Sequence, residues 1–326
     1  MTEATVSYVH PNSNPPGESG SGRGRFGTFG GVFTPSILTI LGVVMYLRFG
    51  WVTGNVGLTG VLVIVFVSHL ISLATGLSVA SIATNRTVGA GGAYFMISRS
   101  LGAPAGAAIG IPLFLGQALS VSFYIVGFTE SLAQWLPPWL PATGVGTAVC
   151  VLLTLVSLKS ADLAIKTQYF VMGMILLSIV SLFLGKPVSE SSATVEWVNT
   201  NPTAASFSEV FAVFFPAVTG IMAGVGMSGE LKNPRRSIPL GTLLAIGTGF
   251  VIYMSFPIFL AMNASNAEMI EHKDIIWRIA MFPSLIFVGV WGATISSAVG
   301  SILTAPRTLQ ALAGDGLAPG LFKKGY

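Results

Sequence analysis

The chain has 326 residues, 52% of them hydrophobic and only 9% charged, with 39 glycines and a mean hydropathy of +0.77. A soluble protein carries about 25% charged residues, so this chain cannot cover a globular surface with hydrated groups, and lipid must be its main solvent. That excludes a soluble enzyme, a nucleic-acid module and a secreted disulfide scaffold. Cys150 is the sole cysteine, which rules out an intramolecular disulfide and a cysteine metal cage. The net charge of +4 with a pI near 9.3 fits basic cytoplasmic loops better than a polyanion partner.

Residues 1–25 are rich in Pro, Gly, Ser and Asn and contain no signal-peptide core, which predicts a disordered cytoplasmic tail. Residues 26–326 read as a single transmembrane transporter domain. A spanning helix needs about 20 mostly apolar residues. Eight stretches are candidates: 30–54, 57–80, 104–135, 141–158, 163–185, 207–229, 238–262 and 281–312. With the tail inside, 12 of the 16 basic residues are cytoplasmic: Arg23, Arg25, Arg86, Arg99, Lys159, Lys166, Lys232, Arg235, Arg236, Arg307, Lys323 and Lys324. Outside lie Lys186, Lys273 and Arg278, with Arg48 near the outer end of the first span. This asymmetry predicts a multi-pass protein of the cell membrane with its N-terminus in the cytoplasm.

Two of the spans carry interruptions. The first reads FTPSILTILGVVMYLRFG, with Pro35 and Gly42 inside it. The sixth reads FFPAVTGIMAGVGMSG, with Pro216, Gly220, Gly224, Gly226 and Gly229. Irregular backbone survives at membrane depth only where it lines a protein cavity, and inverted-repeat transporters break two corresponding helices to bind substrate. The pattern therefore predicts an all-α membrane protein with an inverted-repeat (5+5) transporter fold and discontinuous first and sixth helices. The competing reading is that glycine and proline are simply commoner in membrane helices. A broken helix offers amides to anions at its N-terminal half-helix end and carbonyls to cations. No Asp, Glu, Lys or His flanks either break, so a site of backbone dipoles and hydroxyls suits small ions bound together.

Six stretches in order resemble the cation–chloride cotransporters of the amino acid–polyamine–cation superfamily. They are ILGVVMYLRFGWVTGNVG (40–57), SIATN (81–85), GGAYFMISRSLG (91–102), YIVGFTES (124–131), FFPAVTGIMAGVGMSGEL (214–231) and TAPRTLQALAGDGLAPGL (304–321). The resemblance runs from Gly27 to Tyr326. It implies a secondary symporter that moves chloride with Na⁺ and/or K⁺ by alternating access, with no enzymatic activity and no cofactor. The partners expected are these inorganic ions, the lipid bilayer and a second copy of the chain in a homodimer, with no nucleic acid. An amino acid or polyamine permease and a non-transporting membrane subunit are the alternatives. The family has more spans than the eight here, followed by a large cytoplasmic domain. The chain is thus expected to be a fragment or a truncated relative.

The resemblance also assigns ion sites. Potassium is implied at the Thr39 and Ile40 carbonyls, Tyr124, Pro216 and Thr219, although the family usually has asparagine at the Thr39 position. One chloride is implied at the amides of Gly42, Val43 and Val44, and another at Gly220, Ile221 and Met222. Sodium is implied at Leu38, Leu41, Ala293, Ser296 and Ser297, a serine pair that the potassium–chloride branch lacks. Arg48 and Glu130 match an extracellular gate. Each assignment has an alternative in packing. Tyr124 also suits an interfacial or core tyrosine, and Pro216 and Thr219 suit a kink with the hydroxyl bonded back to its own helix. Ala293, Ser296, Gly300 and Thr304 also form a small-residue packing stripe, and Arg48 could snorkel to the headgroups. The basic run 231–239 needs no role beyond a solvated loop. The glycosylation pattern at Asn85 falls inside and is expected to be silent, whereas that at Asn263 falls outside.

Overall fold

The computed structural model describes residues 26–85, 91–159, 161–188 and 195–323, and the expected tail lies outside them. Among the described residues the chain is helical, without strands beyond an isolated bridge between Phe26 and Leu231. A π-helical turn, Phe29–Phe33, leads into α1 (Thr34–Ile40), and α2 (Val43–Leu47) and α3 (Phe49–Asn85) follow. Next come α4 (Gly92–Leu101), α5 (Ala103–Leu132), α6 (Ala142–Lys159) and α7 (Ala161–Phe183). The chain continues through α8 (Phe207–Phe214), α9 (Ile221–Val225) and α10 (Pro234–Asn263). Short α11 (Asn266–Glu271) and α12 (Ile275–Ile279) precede α13 (Pro283–Gly314).

Six stretches are long and apolar enough to cross a membrane: Phe29–Leu47, Phe49–Asn85, Ala103–Trp135, Phe207–Glu230, Pro234–Asn263 and Pro283–Gly314. Ala142–Leu158 and Thr167–Phe183, in the expected fourth and fifth spans, are apolar but shorter. The surface is inside-out relative to a soluble protein, with Leu119 at 70% and Phe170 at 71% exposure, as a lipid-facing wall requires.

The first two spans are separated at Gly57, where φ is +69° inside a continuous helical run. A Cβ there would lie 2.8 Å from the Asn199 amide nitrogen and from the Val198 Cα, so glycine serves both the left-handed turn and the close approach. The loop that covers it donates the Asn199 side chain to the Gly54 carbonyl at 2.8 Å. Serine starts α8, where Ser206 and Glu209 form a reciprocal capping box. In the interior, α10 runs along α3, α13 lies against α5 and α7, and α1 packs on α9 at the centre. Phe49 anchors this interior, with the rings of Phe214, Tyr253 and Phe256 centred 5.4, 5.4 and 5.5 Å from its own.

Candidate ion-binding site

Helix α1 stops at Leu41 (φ −80°, ψ 47°), and α2 begins after the extended residue Gly42 (φ −97°, ψ −154°). Among the described residues, no backbone amide donates to the carbonyls of Leu38, Thr39, Ile40 or Leu41. Likewise, no backbone carbonyl accepts from the amides of Gly42, Val43 or Val44. The break thus leaves both kinds of backbone dipole open. The sixth span repeats the pattern: α8 tightens into a 3-10 turn, Phe215–Val218, and α9 starts at Ile221 with Gly220 before it. The amides of Gly220, Ile221 and Met222 have no backbone acceptor among the described residues.

A cavity of about 250 Å³ joins the two breaks through Thr39, Ile40, Gly42, Val43, Val44, Pro216 and Thr219, with Tyr124 and Ser120 of α5 closing its side. No charged residue and no histidine lines it. The five residues expected at a potassium site and the three expected at the first chloride are therefore neighbours in space. The hydroxyls of Thr39 and Thr219 donate to the carbonyls of Pro35 (2.9 Å) and Pro216 (2.8 Å). Their protons are committed to the helix, which leaves lone pairs for a cation. Pro216 also takes part in the turn. The Pro216 carbonyl accepts from both the Thr219 amide and the Thr219 hydroxyl. Gly220, Ile221 and Met222, expected at the second chloride, are not among the residues that line this cavity.

The sodium residues divide. Leu38, Leu41 and Ala293 are buried at 2%, 3% and 0% exposure, and α1 packs against α13. Ser297 is 3% exposed and its Oγ has no hydrogen-bond partner. Ser296 lines a separate cavity of about 20 Å³ together with Thr39.

Arg48 and Glu130 meet above the first chloride residues. The guanidinium donates to both carboxylate oxygens at 2.9 and 2.7 Å, a bidentate geometry. Val43, Val44 and Gly127 lie directly beneath, around a space of about 50 Å³. A Cβ on Gly127 would sit 2.2 Å from Val43 Cγ2, so α5 closes tightly on α2 below the pair. Arg48 is thus held by Glu130 rather than extended to headgroups.

Several residues at the site carried no sequence signal. The Tyr253 hydroxyl of α10 donates to the Ile40 carbonyl at 2.6 Å, fully buried. The Ser72 hydroxyl reaches the Val218 carbonyl at 2.9 Å, and the Ser36 hydroxyl reaches that of Ile221 at 3.4 Å. His69, remote in sequence, packs near the first break. Its Nε2 and the Ile40 side chain both converge on Gly249, and its ring lies 5.9 Å from that of Tyr253. His69 Nδ1 is 2.9 Å from the Val65 carbonyl, while Nε2 has no partner. Its distance in sequence from both breaks hid it.

At the other face, Glu230 after α9 pairs with Arg307 of α13. Asp315 accepts from Tyr94 at 2.7 Å and from Arg99 at 2.8 Å. Burial pushes the Asp315 carboxyl up, but the Tyr94 hydroxyl and the Arg99 guanidinium outweigh it and hold it below its ordinary value. Asn263 is 7% exposed and its amide donates to the Phe259 carbonyl, while Ser265 caps α11. That glycosylation pattern is therefore closed off by packing. Of the other, Asn85 is exposed and bonded to Ser81, and Arg86 and Thr87 lie outside the described residues.

Paired broken helices around an uncharged cavity, in a lipid-facing helical protein, define a membrane transporter. The chain belongs to the amino acid permease family, whose profile matches residues 31–325. It is 32% identical to solute carrier family 12 member 9 of Danio rerio over 90% of this chain and 38% of that one. It is 30% identical to solute carrier family 12 member 1 of Mus musculus over 93% of this chain and 33% of that one. To solute carrier family 12 member 8 of Xenopus laevis it is 34% identical, over 91% of this chain and 43% of that one. The chain thus spans between a third and just under half of these relatives.

Proposed function

We propose that the protein is a secondary symporter that moves chloride together with Na⁺ and/or K⁺ by alternating access. One observation carries the reading. Among the described residues, an uncharged cavity is lined by the carbonyl- and hydroxyl-bearing residues Thr39, Ile40 and Thr219 together with Gly42, Val43 and Val44, whose amides no backbone carbonyl accepts from. Cations and anions bound together there neutralise each other, which a site without charged side chains requires. The similarity to solute carrier family 12 members supports the same ions. In this reading Thr39, Ile40, Tyr124, Pro216 and Thr219 hold potassium. Gly42, Val43 and Val44 hold a first chloride, and Gly220, Ile221 and Met222 a second. Leu38, Leu41, Ala293, Ser296 and Ser297 hold sodium.

The same reading takes the helices as eight spans of an inverted-repeat fold in the plasma membrane, with the N-terminus in the cytoplasm and a homodimer as the assembly. Chloride-dependent rubidium uptake into vesicles tests it. Uptake of an amino acid with no chloride dependence would overturn it in favour of a permease.

A further inference from the structure

We propose that Gln168 of α7 is a ligand of the sodium-sized cation beside Ser296, so that the site draws on α7 as well as on α1 and α13. The inference rests on the sodium reading above and adds a residue to it. Gln168 is 8% exposed, and its side-chain oxygen has no hydrogen-bond partner among the described residues. A buried amide oxygen left without a donor is costly, and a fold retains one only when something else satisfies it. That oxygen belongs to a side chain lining the same cavity of about 20 Å³ as Ser296, Thr39 and Thr304.

The size and chemistry of this space limit its occupant. A cavity needs about 10–15 Å³ to hold one water-sized sphere, so a space of about 20 Å³ holds a single small occupant that touches every group around it. The Thr39 hydroxyl donates to Pro35 and the Thr304 hydroxyl to Gly300 at 2.8 Å. Both protons are committed to their own helices, which leaves lone pairs on the hydroxyl oxygens. With Gln168 and Ser296, the oxygen-bearing side chains that line the space come from three helices. A water molecule can satisfy the Gln168 oxygen by itself, whereas an anion placed there meets lone pairs. A small monovalent cation satisfies them together, in the all-oxygen shell that hard cations take. The amide also differs from a carboxylate in leaving the cation's charge uncompensated. The bound cation therefore favours chloride at the open amides of α2, and the site couples the two ions without a protein charge.

The test measures the Na⁺ dependence of the melting temperature of the purified, detergent-solubilised protein, titrating NaCl against choline chloride, with KCl as a parallel series. Gln168→Met keeps the side-chain length and removes the oxygen. It is expected to raise the half-saturating Na⁺ concentration about tenfold or more while leaving the KCl series unchanged. Gln168→Glu adds a charge to the same oxygen position and is expected to lower the half-saturating Na⁺ concentration, with the gain vanishing as pH falls through the carboxylate range. If Gln168→Met titrates like wild type while Ser296→Ala weakens the Na⁺ response, Gln168 is not a ligand and the sodium reading stands. If wild type shows no Na⁺ response, both fall. Should Gln168→Met fail to fold, an unchanged or weakened Na⁺ titration of Gln168→Glu overturns the proposal alone.

Discussion

Gly220 and Thr39 are packed so closely that the two helix breaks form one object. A Cβ on Gly220 would lie 2.8 Å from the Thr39 Cβ, 2.8 Å from the Ile40 amide nitrogen and 3.0 Å from the Thr39 carbonyl carbon. Two of these three atoms are backbone, so no rotamer change relieves the clash. Gly220→Ala is expected to separate the breaks, to cost about 1–3 kcal/mol of stability and to abolish ion-coupled uptake. Gly247→Ala is the control, since nothing lies within 4 Å of a Cβ there. In mid-helix it is expected to stabilise by about 0.5–1 kcal/mol. Melting temperatures and rubidium uptake of the pair distinguish the effects; equal behaviour of the two variants would contradict this geometry.

Tyr253→Phe removes the only hydrogen bond to the Ile40 carbonyl among the described residues. A buried carbonyl left unpaired costs about 1–3 kcal/mol, so the variant is expected to melt below wild type in choline chloride. Saturating KCl is expected to recover part of the loss, because the cation then supplies the missing partner. A deficit equal in the two salts would place Ile40 outside the cation site.

The Arg48–Glu130 pair is a third exposed on each side, at 38% and 31%, so its attraction is partly screened. Exposed pairs contribute about 0–1 kcal/mol. Its role is expected in kinetics rather than stability. Glu130→Gln should raise the rate at which a membrane-impermeant thiol reagent labels a cysteine at Val44, in a Cys150→Ser background. Reversing both charges should restore part of the protection. If neither change alters labelling, Arg48 is an anchor and not a gate.

Ser296→Ala combined with Ser297→Ala is expected to remove Na⁺ dependence of uptake while the protein still folds. Each hydroxyl supplies an oxygen, and its loss costs the bound ion about 1–3 kcal/mol. Because Ser297 Oγ has no protein partner, its deletion leaves no new unpaired group. An unchanged sodium response would make both serines packing residues.

Asp315 links α4 to the end of α13 through Tyr94 and Arg99. Its carboxyl titrates lower in the folded chain than in the unfolded one. Its contribution is therefore present above the unfolded carboxylate value of about 3.9 and lost as pH falls through the lower folded value. Asp315→Asn is expected to cost about 1 kcal/mol at pH 7, discounted because Arg99 is half exposed. The difference from wild type should close as the pH is lowered below about 4. A deficit independent of pH would assign the role to packing.

The membrane character, the helices and the two breaks were legible in the chain itself, because each depends on local chemistry. A run of apolar residues is helical in lipid wherever it lies, and the glycines and prolines of the first and sixth spans mark where a regular helix is weakest. Ordered motifs also brought out the resemblance, since they preserve short stretches of neighbours. What the sequence left open were relationships between residues far apart in number. Tyr253 reaches Ile40 across 213 positions, and Ser72 reaches Val218 across 146, and neither carries a spacing that marks it. The same cause hid His69 behind the break and left Gln168 unnoticed as a polar residue in an apolar run. Pro216 shows the converse: its motif was visible, but only the turn geometry brought the Thr219 amide and hydroxyl to its carbonyl. Local backbone preference determines where a helix must break. Tertiary packing determines which dipoles at that break remain free for an ion.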